Sequence, residues 1–189
     1  YLSAGIMSDH ESVTYVEGRE KLDRGMMLMI REGSSEKNRE ALLPLVTDQT
    51  YQRCCFVVDD RSSADLLKDG DIDAVVRKAI RLGLDPVRAI QLATINTAGY
   101  FRLTGMGAIA PGYLANLIVL DDLAGLKIQT VYHRGKAVAR DGNALFTSPC
   151  CQDHSLMHSV KIKPFAVEAL KLTATGENCP IIEVVPGQI

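Results

Sequence analysis

The chain has 189 residues, enough for one sizeable hydrophobic core or two small ones. Hydrophobic residues make up 47% of the sequence and charged residues 23%, which is typical of a globular protein and argues against disorder. The net charge of −2 and the lack of a basic run argue against a nucleic-acid-binding protein, and no apolar stretch reaches the ~18 residues of a membrane span.

The start of the chain and its cysteines indicate the context of the protein. The sequence begins at Tyr1 rather than at Met, inside a pattern typical of a helix end, so we interpret it as a fragment that lacks its N-terminal part. The cysteines have neither the spacing of a zinc site nor that of a redox dithiol. An odd count without a secretory signal predicts a cytoplasmic protein with buried or incidental thiols. These cysteines are Cys54, Cys55, Cys150, Cys151 and Cys179.

Strand and helix patterns alternate through the first half of the chain. Apolar runs predict a short strand at residues 6–8 and two buried strands at residues 26–30 and 54–58. A helix is expected after each strand, and this alternation predicts a parallel α/β fold. The expected helix-capping residues are Ser12 or Thr14, Ser34 or Ser35, and Ser62 or Ser63.

Two longer helical patterns follow the third strand. The sequence predicts helices over residues 71–82 and 86–101. Asp85 is the expected cap of the second helix, and Pro86 suits its first turn because a proline there loses no helical hydrogen bond.

The pattern changes near Gly105, where turn residues and short strands begin. A strand is predicted at residues 117–120, followed by a hairpin of residues 128–132 and 136–139 around Arg134-Gly135. We therefore expect a small β module after the α/β part.

Polar residues follow the first and third predicted strands directly. In a parallel α/β barrel the functional groups lie where the strands end, so His10 and Asp59 would face one cavity. A neutral imidazole is the commonest metal ligand, and a carboxylate at a strand end can bind a metal ion or transfer protons. The alternatives are a surface hydrogen-bonding role for His10 and a turn or cap role for Asp59.

Other charged residues adjoin the ends of the first two strands. Asp9 and Glu11 flank His10, and either carboxylate could hold its second ring nitrogen. Arg31 and Glu32 follow the second strand, where they either add to the cavity or form an exposed ion pair.

After the third strand, Asp60 suits a helix cap and Arg61 could pair with it. The remaining histidines, His133, His154 and His158, lack the surroundings of a metal site. We expect these three histidines to be surface residues.

Longer motifs occur in order along residues 1–145. They read Ser-Ala-Gly-Ile-Met-Ser-Asp-His-Glu at 3–11, Met-Ile-Arg-Glu-Gly-Ser at 29–34, Phe-Val-Val-Asp-Asp-Arg at 56–61, Asp-Pro-Val at 85–87, Gln-Leu-Ala-Thr-Ile-Asn at 91–96 and Gly-Ala-Ile-Ala-Pro-Gly at 107–112. Together these motifs resemble the bacterial adenine deaminases of the amidohydrolase superfamily.

The resemblance implies an α/β fold, the C-terminal part of a (β/α)8 TIM-type barrel (about strands 6–8), followed by a small β-sandwich module and the start of a further C-terminal domain. The divisions are residues 1–104 for the barrel part, 105–146 for the β module, 147–159 for a linker and 160–189, with one or two strands, for the last domain. Asn116 replaces the family's usual Asp in a Gly-x-x-Ala-Asp-Leu pattern, and we expect this change to affect packing rather than chemistry.

The resemblance also implies hydrolysis of adenine to hypoxanthine and ammonia, a purine-salvage reaction. A metal-bound hydroxide attacks C6 of the purine, and an aspartate carries protons to the departing amine. By this mapping the metal ligands are His10, at the end of barrel strand 6, and Asp59, at the end of strand 8, and Asp59 is also catalytic. Glu11, which flanks His10, is the second predicted catalytic residue. The predicted substrate-binding residues are Arg31, Glu32, Asp60 and Arg61.

The implied cofactor is a divalent metal, manganese or iron, often present as a pair of ions. Because the family's other metal ligands lie before Tyr1, we expect the chain alone to be inactive and to need the missing N-terminal part of its barrel. A small purine is the expected substrate. We expect a cytoplasmic homo-oligomer with no nucleic-acid or membrane partner.

Two alternatives stay open at this stage. The chain could be a non-catalytic half-barrel remnant or interaction module, because an open parallel sheet leaves an edge that another chain would cover. The same barrel end could also serve another nucleobase-like substrate or a cyclic amide.

Overall fold

The computed structural model describes residues 1–149, 154–157, 159–173, 176, 178 and 180–186. It divides into two compact units, one formed by Tyr1–Leu145 with the end of the chain from Val184, the other by Phe146–Glu183. The sequence-based interpretations of Cys150, Cys151, Cys179 and His158 fall outside the described residues.

Three parallel strands form the sheet of the first unit. They are β1 (Ser8–Asp9), β2 (Met27–Arg31) and β3 (Cys54–Val57), in the spatial order β1-β2-β3. The predicted α/β class and parallel pairing are confirmed. The strand at residues 6–8 was placed too early, because pairing with β2 begins only at Ser8, which lies opposite Met27.

The hydrophobic core packs against this sheet and explains the apolar runs in its strands. In β2, three consecutive residues, Leu28, Met29 and Ile30, are all buried. A strand covered on both faces carries apolar side chains in both directions, so its sequence does not alternate. The core consists of Leu22, Leu28, Ile30, Leu42, Leu43, Leu45, Cys54, Phe56, Val75, Val76, Ala79, Ala89, Leu92 and Leu126.

Helix α1 (Tyr15–Asp23) begins with a capping box, which confirms Thr14 as its cap. The Thr14 hydroxyl accepts a hydrogen bond from the backbone N–H of Glu17, and the Glu17 carboxylate accepts one from the Thr14 N–H. Two backbone donors that a helix start leaves unpaired are thereby satisfied. Gly25 follows the helix with a φ of +91°, a left-handed conformation that favours glycine.

The helix predicted to begin at Ser34 or Ser35 is much shorter than expected. Only α2 (Arg39–Leu42) and a 3-10 turn at Leu43–Leu45 form here. The backbone N–H groups of Ser34 and Ser35 donate to the carboxylate of Asp60, which holds them outside any helix. The expected caps were wrong: the Ser34 hydroxyl accepts from the backbone N–H of Ser62 and donates to Asp65, and the helix begins only after Asn38.

The next helices are α3 (Ser63–Asp69), α4 (Ile72–Arg81), α5 (Pro86–Ala93) and α6 (Ile95–Tyr100). Ser62 caps α3 and Asp85 caps α5, both as predicted. The predicted helix over residues 86–101 is broken at Thr94, whose φ and ψ are −129° and −90°. After the break, the Asn96 side-chain amide donates to the carbonyls of Tyr51 and Cys54 and ties α6 to β3.

A four-stranded antiparallel sheet follows. It consists of β4 (Leu117–Asp122), β5 (Lys127–His133), β6 (Lys136–Arg140) and β7 (Asn143–Ala144), in that spatial order. The predicted hairpin is confirmed, with Arg134 and Gly135 at φ of 49° and 80°, the left-handed pair that tight hairpin turns need. Among the described residues the module is this one sheet, so the sandwich and the complete barrel stay predictions.

Among its described residues, the second unit contains two 3-10 turns, His154–Leu156 and Val167–Leu170. No described residue beyond Ala144 lies in a strand, so the strands predicted within residues 160–189 are wrong for the described part. Apolar residues such as Ile162 and Leu172 are 71% and 99% exposed, and a strand without a neighbour cannot pair its backbone groups. None of the helices in the described ranges is long and apolar enough to cross a membrane.

Candidate active site

The ends of the three parallel strands bring the predicted site residues to one edge of the sheet. His10 follows β1, Arg31 ends β2 and Asp59 follows β3. Because β2 lies between the other two strands and all three run in the same direction, these residues meet at the carboxyl edge.

The carboxylates of Glu11 and Asp59 lie close to the imidazole of His10. Its Nε2 atom is 3.3 Å from Glu11 Oε1 and 3.9 Å from Asp59 Oδ2. The three side chains are 45%, 51% and 41% exposed, so they face open space at this edge. The structure thus brings together the residues predicted to bind metal and to transfer protons.

Arg31 lies beneath these groups with its side chain only 1% exposed. Its Nη1 atom donates to Asp59 Oδ2 at 2.6 Å and lies 2.8 Å from Glu36 Oε2, and its Nη2 atom donates to Glu11 Oε2 at 3.2 Å. Burial opposes the charge of the guanidinium, but the hydrogen bond to Asp59 and the neighbouring carboxylates outweigh it and raise the pKa of Arg31 above its ordinary value.

Asp59 has a left-handed backbone conformation, with a φ of 51°. This region is unfavourable for most residues and is tolerated best by glycine, asparagine and aspartate. The turn lies two residues after the end of β3, and the Asp59 carboxylate accepts a hydrogen bond from Arg31.

Asn38 joins two of the strand ends and was missed by the sequence analysis. It is 2% exposed; its Oδ1 atom accepts from the backbone N–H of Arg31 at 2.6 Å, and its Nδ2 atom donates to the His10 carbonyl at 3.1 Å. The sequence offered no signal for this role, because an isolated asparagine in a polar loop is ordinary turn chemistry.

Glu32 points away from His10 into a buried ionic group. Its carboxylate is 2.9 Å from Arg39 Nη1 and 2.7 Å from Lys78 Nζ, and only 6% of its side chain is exposed. Arg61 donates to the Glu32 carbonyl at 3.3 Å and lies 3.9 Å from Asp69, so the expected pairing of Arg61 with Asp60 is wrong.

Asp60 holds the loop after β2 instead of capping a helix. Its two carboxylate oxygens accept from the backbone N–H groups of Ser34 and Ser35 at 3.1 and 2.7 Å. Burial opposes ionisation, but the hydrogen bonds from Ser35 and Ser34 outweigh it and lower the pKa of Asp60. A Cβ on Gly33 would lie 1.5 Å from Asp60 Oδ1, so this close approach requires glycine.

Asp9 does not hold the imidazole of His10, which had been one of the two options. Its carboxylate is 2.8 Å from Lys21 Nζ and accepts from the Ser12 N–H and hydroxyl at 3.0 and 2.7 Å. Burial opposes its charge, but these bonds outweigh the burial and lower the pKa of Asp9. Of the two flanking carboxylates, it is Glu11 that approaches the imidazole, at Nε2.

The chemistry of the donors at this edge suits a divalent cation. Imidazole nitrogen and carboxylate oxygen are ligands that manganese and iron accept. One guanidinium among the carboxylates of Glu11, Glu36 and Asp59 leaves a local charge of 1 − 3 = −2. In the part of the chain that the structure describes, no three His, Cys, Asp or Glu side chains come together as a metal site. His10 and Asp59 could therefore supply only part of a coordination shell, and further ligands would have to come from outside the described part of this chain.

Comparison with known proteins gives relatives along the whole chain. It is 65% identical over all its 189 residues to an adenine deaminase of Dehalococcoides mccartyi, and 44% identical over 192 aligned positions to one of Oceanobacillus iheyensis. It covers 33% of each, so the chain spans about a third of the length of these curated relatives. The resemblance noted from the sequence motifs is confirmed.

Solved structures share the fold at low identity. A β-aspartyl dipeptidase of Fervidobacterium islandicum AW-1 matches with a TM-score of 0.56 and 21% identity, over 71% of this chain and 36% of that one. The same enzyme in complex with a β-Asp-Leu dipeptide matches with a TM-score of 0.53 and 18% identity, over 71% of this chain and 38% of that one. The sequence model of the amidohydrolase family matches residues 1–138. The chain therefore belongs to the amidohydrolase family.

Proposed function

We propose that this chain carries part of the active site of a metal-dependent deaminase that converts adenine to hypoxanthine and ammonia in purine salvage. The observation that carries the proposal is the 65% identity to an adenine deaminase along the entire chain. In this proposal the chain supplies the last strands of a (β/α)8 barrel, and the segments that complete the length of its relatives supply the rest.

His10 and Asp59 are the proposed ligands of a divalent ion, manganese or iron, in a site with one or two ions. When bound, such an ion lowers the pKa of a water molecule toward neutrality and polarises the group under attack. The support in this chain is the imidazole and the carboxylate at one sheet edge, 3.9 Å apart, in a locally negative environment.

Asp59 is also the proposed proton carrier of the reaction. Water adds its oxygen to C6 of the purine, the C6–N bond breaks, and the exocyclic nitrogen leaves as ammonia. Asp59 takes one proton from the water and gives it to the departing nitrogen, which a half-exposed carboxylate at the sheet edge can do, and the second water proton ends on N1 of hypoxanthine. Glu11 is the second proposed catalytic group, because its Oε1 atom lies 3.3 Å from the His10 imidazole.

Substrate binding was predicted for Arg31, Glu32, Asp60 and Arg61, but their contacts within the protein favour a supporting role instead. Asp60, Arg61 and Glu32 already bond protein groups, and Arg31 is enclosed by carboxylates. We infer that these residues shape the wall of the site, while most contacts that read the purine ring come from the rest of the full-length protein.

The test uses the full-length protein, meaning this chain with the segments that complete the length of its relatives. Ammonia release from adenine, guanine and cytosine is measured for the wild type, for Asp59→Asn, and for Asp23→Asn, a control at an exposed ion pair with Arg19. We expect the wild type to release ammonia from adenine but not from guanine or cytosine. The rate of ammonia release should fall by at least ~100-fold in Asp59→Asn and stay unchanged in Asp23→Asn. Turnover of guanine or cytosine instead would select another nucleobase substrate. Turnover of none of the three would favour the non-catalytic alternative.

A further inference from the structure

We propose that Arg31 is a positioning residue that holds the carboxylates of Asp59 and Glu11 beside the Nε2 atom of the His10 imidazole. The inference rests on the proposed function and assigns a task within the same site. Arg31 had been a candidate for substrate binding, and its surroundings favour a different role.

The guanidinium reaches both carboxylates through separate nitrogens. Nη1 donates to Asp59 at 2.6 Å, and Nη2 donates to Glu11 at 3.2 Å. Because a guanidinium is planar and its donors point in set directions, it fixes the two carboxylates relative to each other. We call Arg31 with the carboxylates of Asp59 and Glu11 the clamp. A lysine, with one ammonium group on a flexible stem, cannot hold two separate carboxylates in this way.

The burial of Arg31 argues against contact with a substrate. Its side chain is 1% exposed even though the chain is only part of the length of its relatives. Any further segment that packs against this unit can only reduce that exposure. Arg31 therefore acts through the groups that it touches.

Two further residues, Asn38 and Glu36, hold Arg31 in position. Asn38 accepts the hydrogen bond of the Arg31 backbone N–H, and Glu36 Oε2 lies 2.8 Å from the same Nη1 atom that donates to Asp59. The residue at the other end of the clamp, Asp59, has a left-handed backbone that aligns its carboxylate with Nη1. A strained turn of this kind persists where the surroundings hold it in place.

Stability alone does not explain the arrangement. The Nε atom of Arg31 is buried and has no hydrogen-bond partner among the described residues. Buried ion pairs contribute little net stability compared with apolar groups of the same size, and an unpaired buried donor is unfavourable. The Nε atoms of Arg39 and Arg61 are also buried without a partner in the described part of the chain, so what distinguishes Arg31 is its contact with two carboxylates that lie beside the His10 imidazole.

The test compares Arg31→Lys and Arg31→Gln with Arg39→Lys and Arg39→Gln in the full-length protein. Arg39 is the matched control because it is also 1% exposed and pairs with a buried carboxylate, that of Glu32, away from His10. The measurements are Mn²⁺ affinity, the electron paramagnetic resonance spectrum of bound Mn²⁺, and kcat and KM for adenine.

We expect Arg31→Gln to weaken Mn²⁺ binding and lower kcat by ~100-fold, and Arg31→Lys by ~10-fold, as for groups that orient metal ligands. KM for adenine should stay within ~2-fold because no substrate contact is removed. The spectrum of bound Mn²⁺ should change in both Arg31 variants and in neither Arg39 variant. If Arg31→Gln does not fold, Arg31→Lys keeps the charge and carries the comparison.

Three results would overturn the proposal. Wild-type Mn²⁺ affinity and kcat in Arg31→Lys would show that the clamp is not needed, and equal losses in Arg39→Lys would show a general packing effect. A raised KM with unchanged kcat would assign Arg31 to substrate binding. A wild-type protein that binds Mn²⁺ and leaves adenine intact would refute the proposed function, while the Mn²⁺ affinities would still test the clamp.

Discussion

Asn38 and Arg31 are joined by a buried hydrogen bond of 2.6 Å between the Asn38 side-chain oxygen and the Arg31 backbone N–H. The same asparagine donates to the carbonyl of His10, so one side chain links the ends of β1 and β2. Hydrogen bonds thus join His10, Arg31 and Asn38 into one base for the candidate site.

Asn38→Ala is expected to disturb this base. It removes two hydrogen bonds and leaves a buried N–H unpaired, which should lower the free energy of unfolding by about 1–3 kcal/mol. Mn²⁺ affinity should also fall by ~10-fold, because the His10 backbone loses its support. Urea unfolding and Mn²⁺ titration measure the two effects. Asn143→Ala, which removes a bond to Asp141 in an exposed turn, is the control. Equal effects of both variants would contradict the special position of Asn38.

Two helical glycines should respond to alanine in opposite directions. A Cβ on Gly18 would lie 2.7 Å from Leu45 Cδ1 and 2.8 Å from Leu42 Cδ2, and both leucines are buried. Overpacking of about 1–3 kcal/mol should exceed the gain in helix propensity, so Gly18→Ala is expected to destabilise the protein. Gly99 has nothing within 4 Å of its Cβ position, so Gly99→Ala should stabilise by about 0.5–1 kcal/mol. Denaturant midpoints of the two variants measure these changes in stability, and stabilisation by Gly18→Ala would contradict the packing argument.

The Lys21–Asp9 ion pair predicts a contribution to stability that depends on acid pH. The pKa of Asp9 in the folded protein is lowered from its ordinary value of 3.8. A lowered carboxyl pKa stabilises the fold above the unfolded value, and this contribution is lost as the pH falls through the folded pKa. The stability difference between wild type and Asp9→Asn should therefore be full at neutral pH and shrink below about pH 4. Lys21→Met should weaken the same dependence. A difference that stays constant down to pH 2 would refute the assignment.

The thiols of Cys54 and Cys55 are expected to resist alkylation in the folded protein. Burial raises the pKa of Cys54 to about 12 and that of Cys55 to about 11, so neither forms the reactive thiolate near neutral pH. Iodoacetamide treatment followed by peptide mass spectrometry should show modification of this pair only after unfolding. Rapid modification under native conditions would show that β3 opens to solvent.

Local chemistry in the sequence was sufficient for much of the fold. Continuous apolar runs determined β2 and β3, because a strand buried on both faces needs no alternation. The caps Thr14, Ser62 and Asp85 were recognised because their side chains bond backbone groups only three residues away. The Arg134-Gly135 turn was recognised in the same way from its own residues.

The tertiary structure decided what depends on partners far along the chain. Asp60, 26 and 25 residues beyond Ser34 and Ser35, removed the helix start expected there. The bond between Asn96 and Cys54 spans 42 residues and accompanies the break at Thr94.

The candidate site also has features that the sequence predicted and features that only long-range contacts decided. The sequence predicted that His10 and Asp59 would lie close together, because each follows a strand and the ends of parallel strands meet at one edge of the sheet. The roles of Arg31 and Asn38 and the choice of Glu11 over Asp9 followed only from burial and from contacts between strand ends. A side chain's periodicity and neighbours in sequence determine its element, but the partner of a buried charge depends on which distant groups the folded chain brings within hydrogen-bond distance.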